Sequence, residues 1–113
     1  MSRAYVHGLA MTGESTVRAL LARGHEVIVG DDSVDDRRRD LADEMGVELL
    51  EAPARDELRA VITTCDLVSP APGVPETHSV VATAQALGVP LMSEIELAYR
   101  WEQERPGGPR PML

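Results

Sequence analysis

The sequence predicts a three-layer α/β fold: a five-stranded parallel sheet, order 3-2-1-4-5, covered by helices on both faces. Three observations predict it. Short apolar runs alternate along the chain with segments of helical period, the pattern of parallel strands joined by right-handed crossovers. The 113 residues suffice for one domain core and fall short of two. Aromatic residues are scarce, with one Trp, two Tyr and no Phe, so Val, Leu, Ile and Ala must build the core, which suits a sheet buried on both sides.

Each element has its own warrant. Residues 3–7 form the first strand. Thr12 caps a helix running to about Arg23, with Val17, Leu20 and Leu21 as its buried stripe and Gly24 at the left-handed position after it. Residues 26–30 are the second strand. The charged run 35–40 opens a polar helix that turns Leu41, Ala42 and Met45 inward and stops at Gly46; the charges themselves read as a solvated face. Residues 47–50 are a third strand, and 54–63 a helix with Leu58, Val61 and Ile62 on one side. Residues 66–69 are a fourth strand, followed by the rigid loop Pro70-Ala71-Pro72-Gly73-Val74-Pro75. A helix over 77–87 buries Val80, Val81, Ala84 and Leu87, and 89–92 supply the fifth strand. Ser93 and Glu96 form a capping box for a last helix carrying Ile95, Ala98 and Trp101. Residues 1–103 thus make one domain, and 104–113, rich in Pro, Gly and Arg, have the composition of a linker.

Composition narrows function. A formal net charge of −8 argues against nucleic acid, which needs a basic footprint. It also means that an anionic ligand must be held by local N–H groups. The single cysteine, Cys65, forms no intrachain disulfide and reads as a small buried hydrophobe of a reducing, cytoplasmic setting. No signal peptide and no membrane-length apolar run is evident. His7, His25 and His78 fall in separate elements without metal-ligand spacing, so no metal site is expected. No nucleophile–base pair and no Gly-Lys-Ser/Thr loop suggests catalysis within the chain.

The chemistry concentrates in Gly8-Leu9-Ala10-Met11-Thr12-Gly13, between the first strand and its helix, and in Asp31-Asp32 at the end of the second strand. Glycines there let the chain turn sharply and bring amides of the helix start against an anion. Asp31 follows Gly13 by 18 residues, close to the roughly 20 typical of ribose-binding acids. The three-glycine fingerprint is incomplete, because Ala10 replaces its middle glycine and crowds the usual dinucleotide pose. With the order 3-2-1-4-5, the loops at 8–13, 31–33 and 71–75 converge at the switch point where such sheets bind ligands. A nucleotide-binding, Rossmann-like domain is the expectation.

Three motifs in order carry a family resemblance: Gly8-Leu9-Ala10-Met11-Thr12-Gly13-Glu14-Ser15, Pro72-Gly73-Val74-Pro75 with His78, and Ser93-Glu94-Ile95-Glu96-Leu97. Together they resemble the N-terminal domain of the Mur ligases of peptidoglycan synthesis, over about residues 3–102, nearest the branch that joins D-glutamate to UDP-N-acetylmuramoyl-L-alanine. The resemblance implies that this domain binds the UDP moiety and takes no cofactor itself. ATP and magnesium would belong to a central domain, and the incoming amino acid to a third, both missing here. Gly8 and Gly13 would allow the turn, and Met11 and Thr12 would donate to the phosphates. Asp31, with Asp32 beside it, would meet the uracil, and Pro72 and Gly73 would line the uridine from the facing loop. The chain departs from the family pattern at His7 (commonly Val or Ile), Ala10 (glycine), Ala71 (serine) and Asp32 (a neutral or hydroxyl residue). Two other readings stay open: a stand-alone NAD-binding or regulatory module, and a scaffold with a vestigial site.

Overall fold

The computed structural model describes residues 2–103; the expected linker at 104–113 lies outside them. The order is β1 (Arg3–His7), α1 (Met11–Ala22), β2 (Glu26–Asp31), α2 (Asp36–Met45), β3 (Glu48–Glu51), α3 (Arg55–Ile62), β4 (Leu67–Pro70), α4 (Ser79–Leu87) and α5 (Glu94–Gln103). Among the described residues the sheet is parallel and four-stranded, in the order β3-β2-β1-β4.

The expected fifth strand is therefore corrected. Residues 89–92 lie beside β4 as expected but make only the isolated parallel bridge Val68–Leu91. The Val68 amide donates to the Pro90 carbonyl and the Met92 amide to the Val68 carbonyl, both at 2.9 Å. Gly88 is in the left-handed region at φ 71°, and Pro90 has no N–H to give, so the chain touches the sheet once before α5 begins.

Side-chain alternation along β1 divides the core. Ala4 and Val6 pack with Leu9, Val17, Leu20, Val27, Val29 and Ala42 under α1 and α2. Tyr5 points to the opposite face, among Leu58, Ile62, Val68, Val80 and Ala84 beneath α3 and α4. His7 shares the Tyr5 face and ends the strand fully buried.

The helices follow their sequence signals with two exceptions. Asp35 caps α2 by accepting the Arg38 amide, and Gly46 ends that helix at φ 70°. The capping box of α5 is present in both directions: the Glu96 amide donates to Ser93 Oγ, and the Ser93 amide to Glu96 Oε1, each at 3.1 Å. The first exception is α1, where Ala10 and not Thr12 is the N-cap, and no side chain caps it. The helix begins two residues earlier because Gly8, at φ 100°, already turns the chain. The second is α5, whose inward residues include Leu97, buried, and Trp101, half-buried, while Ala98 is exposed; the Ile95 side chain lies outside those described. Arg23 lies 4.7 Å above the Trp101 ring, a cation–π contact between the end of α1 and α5.

Candidate functional site at the carboxyl edge of the sheet

The carboxyl ends of β1, β2 and β4 gather three loops, and each is tied to its neighbours. The Gly8 amide donates to the Gly30 carbonyl at 2.7 Å, and the Ala71 amide to the His7 carbonyl at 2.8 Å. Gly8 permits the second approach: a Cβ there would stand 2.8 Å from Ala71 Cβ, at a φ that side chains rarely adopt. Gly13 is needed for space, since its Cβ would fall 1.9 Å from the Gly8 carbonyl oxygen. The glycines at 8 and 13 thus fold the turn onto the start of α1. The first amides of that helix have no acceptor within it, and Ala10 offers none from a side chain. They lend this end of the helix a positive potential suited to an anion.

Asp31 is placed differently from a free ligand-binding acid. It is buried; Oδ2 accepts the Leu9 amide at 2.7 Å and Oδ1 the Ser33 amide at 2.9 Å. Arg38 Nε stands 3.2 Å from Oδ2. Asp31 therefore braces the glycine turn against β2. A carboxylate has about four acceptor positions, so one direction remains for a ligand.

Asp32 is exposed, and its Oδ2 lies 2.7 Å from His78 Nε2 and 3.2 Å from His7 Nε2. The Val80 amide donates to His78 Nδ1 at 3.0 Å, making His78 the N-cap of α4. This bond assigns the proton of neutral His78 to Nε2, which donates to Asp32. Tyr5 Oη is 2.8 Å from His7 Nδ1. His7 Nε2 is buried and makes no hydrogen bond; its approach to Asp32 is close but poorly aligned. The two imidazole centroids are 4.6 Å apart. Burial holds the His7 imidazole below the ordinary histidine range, against the pull of Asp32. Partial burial would raise the Asp32 carboxyl, yet the hydrogen bond from His78 and the nearness of His7 leave it below its usual value. Burial pushes the Tyr5 phenol far above its ordinary range.

The structure thus brings together the turn at Gly8–Gly13, Asp31 and Asp32. Pro72 and Gly73 lie exposed on the loop after β4, with open space around Gly73. His7 and His78, expected to serve separately, meet at Asp32. The signal for that meeting was topological: in the order 2-1-4, the last residue of β1 lies between the end of β2 and the loop after β4. By contrast, the depression of about 430 Å³ lined by Arg3, His25, Glu26 and Gly46 sits at the strands' amino ends, away from this chemistry.

No family model matches the sequence, but individual proteins do. The UDP-N-acetylmuramoylalanine--D-glutamate ligase of Desulfatibacillum aliphaticivorans is 37% identical over 100 residues, covering 85% of this chain and 21% of that protein. Such relatives match at their N-terminal part. The chain belongs to the Mur ligase family, matching its N-terminal domain. It spans about a fifth of the length of the curated relatives it matches. Solved structures agree on the fold. A pseudomurein peptide ligase type C from Methanothermus fervidus superposes with a TM-score of 0.74 at 21% identity, over 94% of this chain and 21% of that one. The UDP-N-acetylmuramate:L-alanyl-gamma-D-glutamyl-meso-diaminopimelate ligase from Neisseria meningitides gives 0.71 at 18%, over 93% and 31%. The Mur ligase relationship also accounts for the parallel, Rossmann-like sheet. Among the described residues, no helix is long and apolar enough to cross a membrane.

Proposed function

We propose that this domain binds the UDP part of UDP-N-acetylmuramoyl-L-alanine, as the substrate-holding unit of a cytoplasmic, ATP-dependent ligase that adds D-glutamate. The observation that carries the reading is the uncapped start of α1, folded by Gly8 and Gly13 onto the switch point of the sheet. Amides of Met11, Thr12 and Gly13 suit a diphosphate there, with the helix dipole adding to the attraction. Asp31 orients the turn and keeps one acceptor direction for a ring N–H of uracil, Asp32 stands beside it, and Pro72 and Gly73 flank the uridine. The domain itself performs no bond chemistry. ATP, magnesium and the amino acid are expected on further domains of a complete enzyme.

Isothermal titration of the 113-residue chain with UDP, UDP-N-acetylmuramoyl-L-alanine and NAD tests this. Weak but measurable binding of both uridine ligands, and weaker binding of NAD, is expected. Tighter binding of NAD would favour a dinucleotide-binding module and overturn the assignment.

A further inference from the structure

We propose that His7, Asp32 and His78 form a binding site for a divalent transition-metal ion, zinc in the first instance. One nitrogen from each imidazole and one carboxylate oxygen lie within 4.8 Å of one another. His7 Nε2 supplies the second, independent observation. It belongs to a side chain only 1% exposed, is aimed at the cluster and makes no hydrogen bond. A buried polar atom with only a misaligned carboxylate 3.2 Å away is costly to the fold, and an ion at this point would satisfy it.

The donor set selects the ion. Two imidazoles and one carboxylate suit zinc, cobalt, nickel or copper, whereas magnesium prefers oxygen donors and retains its water. Zinc takes such ligands at about 2.0–2.2 Å in tetrahedral array, which sets neighbouring ligand atoms about 3.4 Å apart. His7 Nε2 and Asp32 Oδ2, at 3.2 Å, are close to that. His78 Nε2 and Asp32 Oδ2, at 2.7 Å, must spread, and the exposed Asp32 side chain has room to move. The open fourth position faces solvent and takes water or an anion.

Behind His7 stands Tyr5 Oη, 2.8 Å from Nδ1, where it can accept a hydrogen bond from Nδ1–H of the metal-bound ring and fix its plane. Gly30 leaves the space for that hydroxyl, since a Cβ there would fall 1.9 Å from it. With the ion on Nε2, each ring carries its single proton on Nδ1, which in His78 means a shift of that proton from Nε2. His78 then releases the Val80 amide, and loss of a typical cap weakens binding by about fivefold relative to a site without that competition.

The site stands on this chain's own side chains and does not rest on the uridine reading. Untagged protein is titrated with zinc chloride without nucleotide, by calorimetry and thermal melting, and with cobalt by visible absorption. One equivalent of zinc should bind at micromolar or lower concentration and raise Tm, with no response to magnesium. Bound zinc should move the Val80 amide resonance. Asp32→Asn and His78→Gln should each weaken zinc at least about tenfold, and Tyr5→Phe by about tenfold, while His25→Gln leaves it unchanged. Asp32 is exposed, so Asp32→Asn decides the matter even if variants of buried Tyr5 fail to fold. Absence of saturable binding, or binding indifferent to Asp32→Asn and His78→Gln, overturns the proposal. Zinc binding by a chain that ignores uridine ligands would overturn the nucleotide reading alone.

Discussion

Replacing Asp31 by asparagine separates a brace from a ligand contact. Its two oxygens each take a backbone N–H, from Leu9 at 2.7 Å and Ser33 at 2.9 Å, in a site only 8% exposed. Asparagine keeps the shape but owns one acceptor; its NH2 must face one of the two amides. That leaves one backbone donor unsatisfied, at about 1–3 kcal/mol, and the surviving bond loses its charge assistance, roughly half its strength. Arg38, 3.2 Å away, loses its ion pair as well. The sum is about 2–4 kcal/mol, a large share of the roughly 5–15 kcal/mol that holds an ordinary domain together. Alanine removes two charged hydrogen bonds of about 1.5–3 kcal/mol each, and this variant should be less stable still than asparagine. Urea melts followed by circular dichroism give the stability, and titration with UDP gives the affinity. Asp31→Asn should lower both, because the turn that presents the phosphate-facing amides loosens with its brace. Native stability with lost affinity would refute the brace and restore Asp31 as a free ligand-binding acid.

Other expectations follow from single features. Gly13→Ala sets a Cβ against the Gly8 carbonyl oxygen at 1.9 Å, so the turn must open; a native melting curve with intact UDP affinity would contradict this packing. Leu58→Ala, at a site 1% exposed, should cost about 2–5 kcal/mol by urea denaturation. Ala52 is held at φ 43°, a region that costs a non-glycine residue about 1–2 kcal/mol, so Ala52→Gly should raise Tm. Burial raises the pKa of the Cys65 thiol, so its neutral form is favoured by folding. Stability from this group is full below the ordinary thiol pKa and declines as pH rises through the folded value. A disulfide reagent at pH 8 should therefore modify Cys65 more slowly in the folded than in the urea-unfolded chain.

Local signals carried most of the fold. Gly46, the Ser93–Glu96 box and the Val17–Leu20 stripe each act within one turn of helix, so period and punctuation reveal them. The fifth strand failed because strand formation depends on amides along the whole segment, and Pro90 removes one where pairing would have begun. Thr12 was misplaced as a cap because the positive φ of Gly8, a backbone state that sequence records only indirectly, starts the helix sooner. At the site, the glycine turn and the acids were legible as a motif. That Asp31 would be consumed internally was not, since it depends on amides brought close only by tertiary folding. The pairing of His7 with His78 was likewise hidden, although the strand order already made them neighbours.

The incomplete fifth strand also bears on how copies of this chain meet. Beyond β4, the margin of the sheet offers a single bridge at Leu91, next to a proline that cannot donate. Across the sheet, β3 begins and ends on the exposed acids Glu48 and Glu51. Neither flank makes a good template for annealing another strand, so concentrated solutions should resist fibrillar growth from the native state.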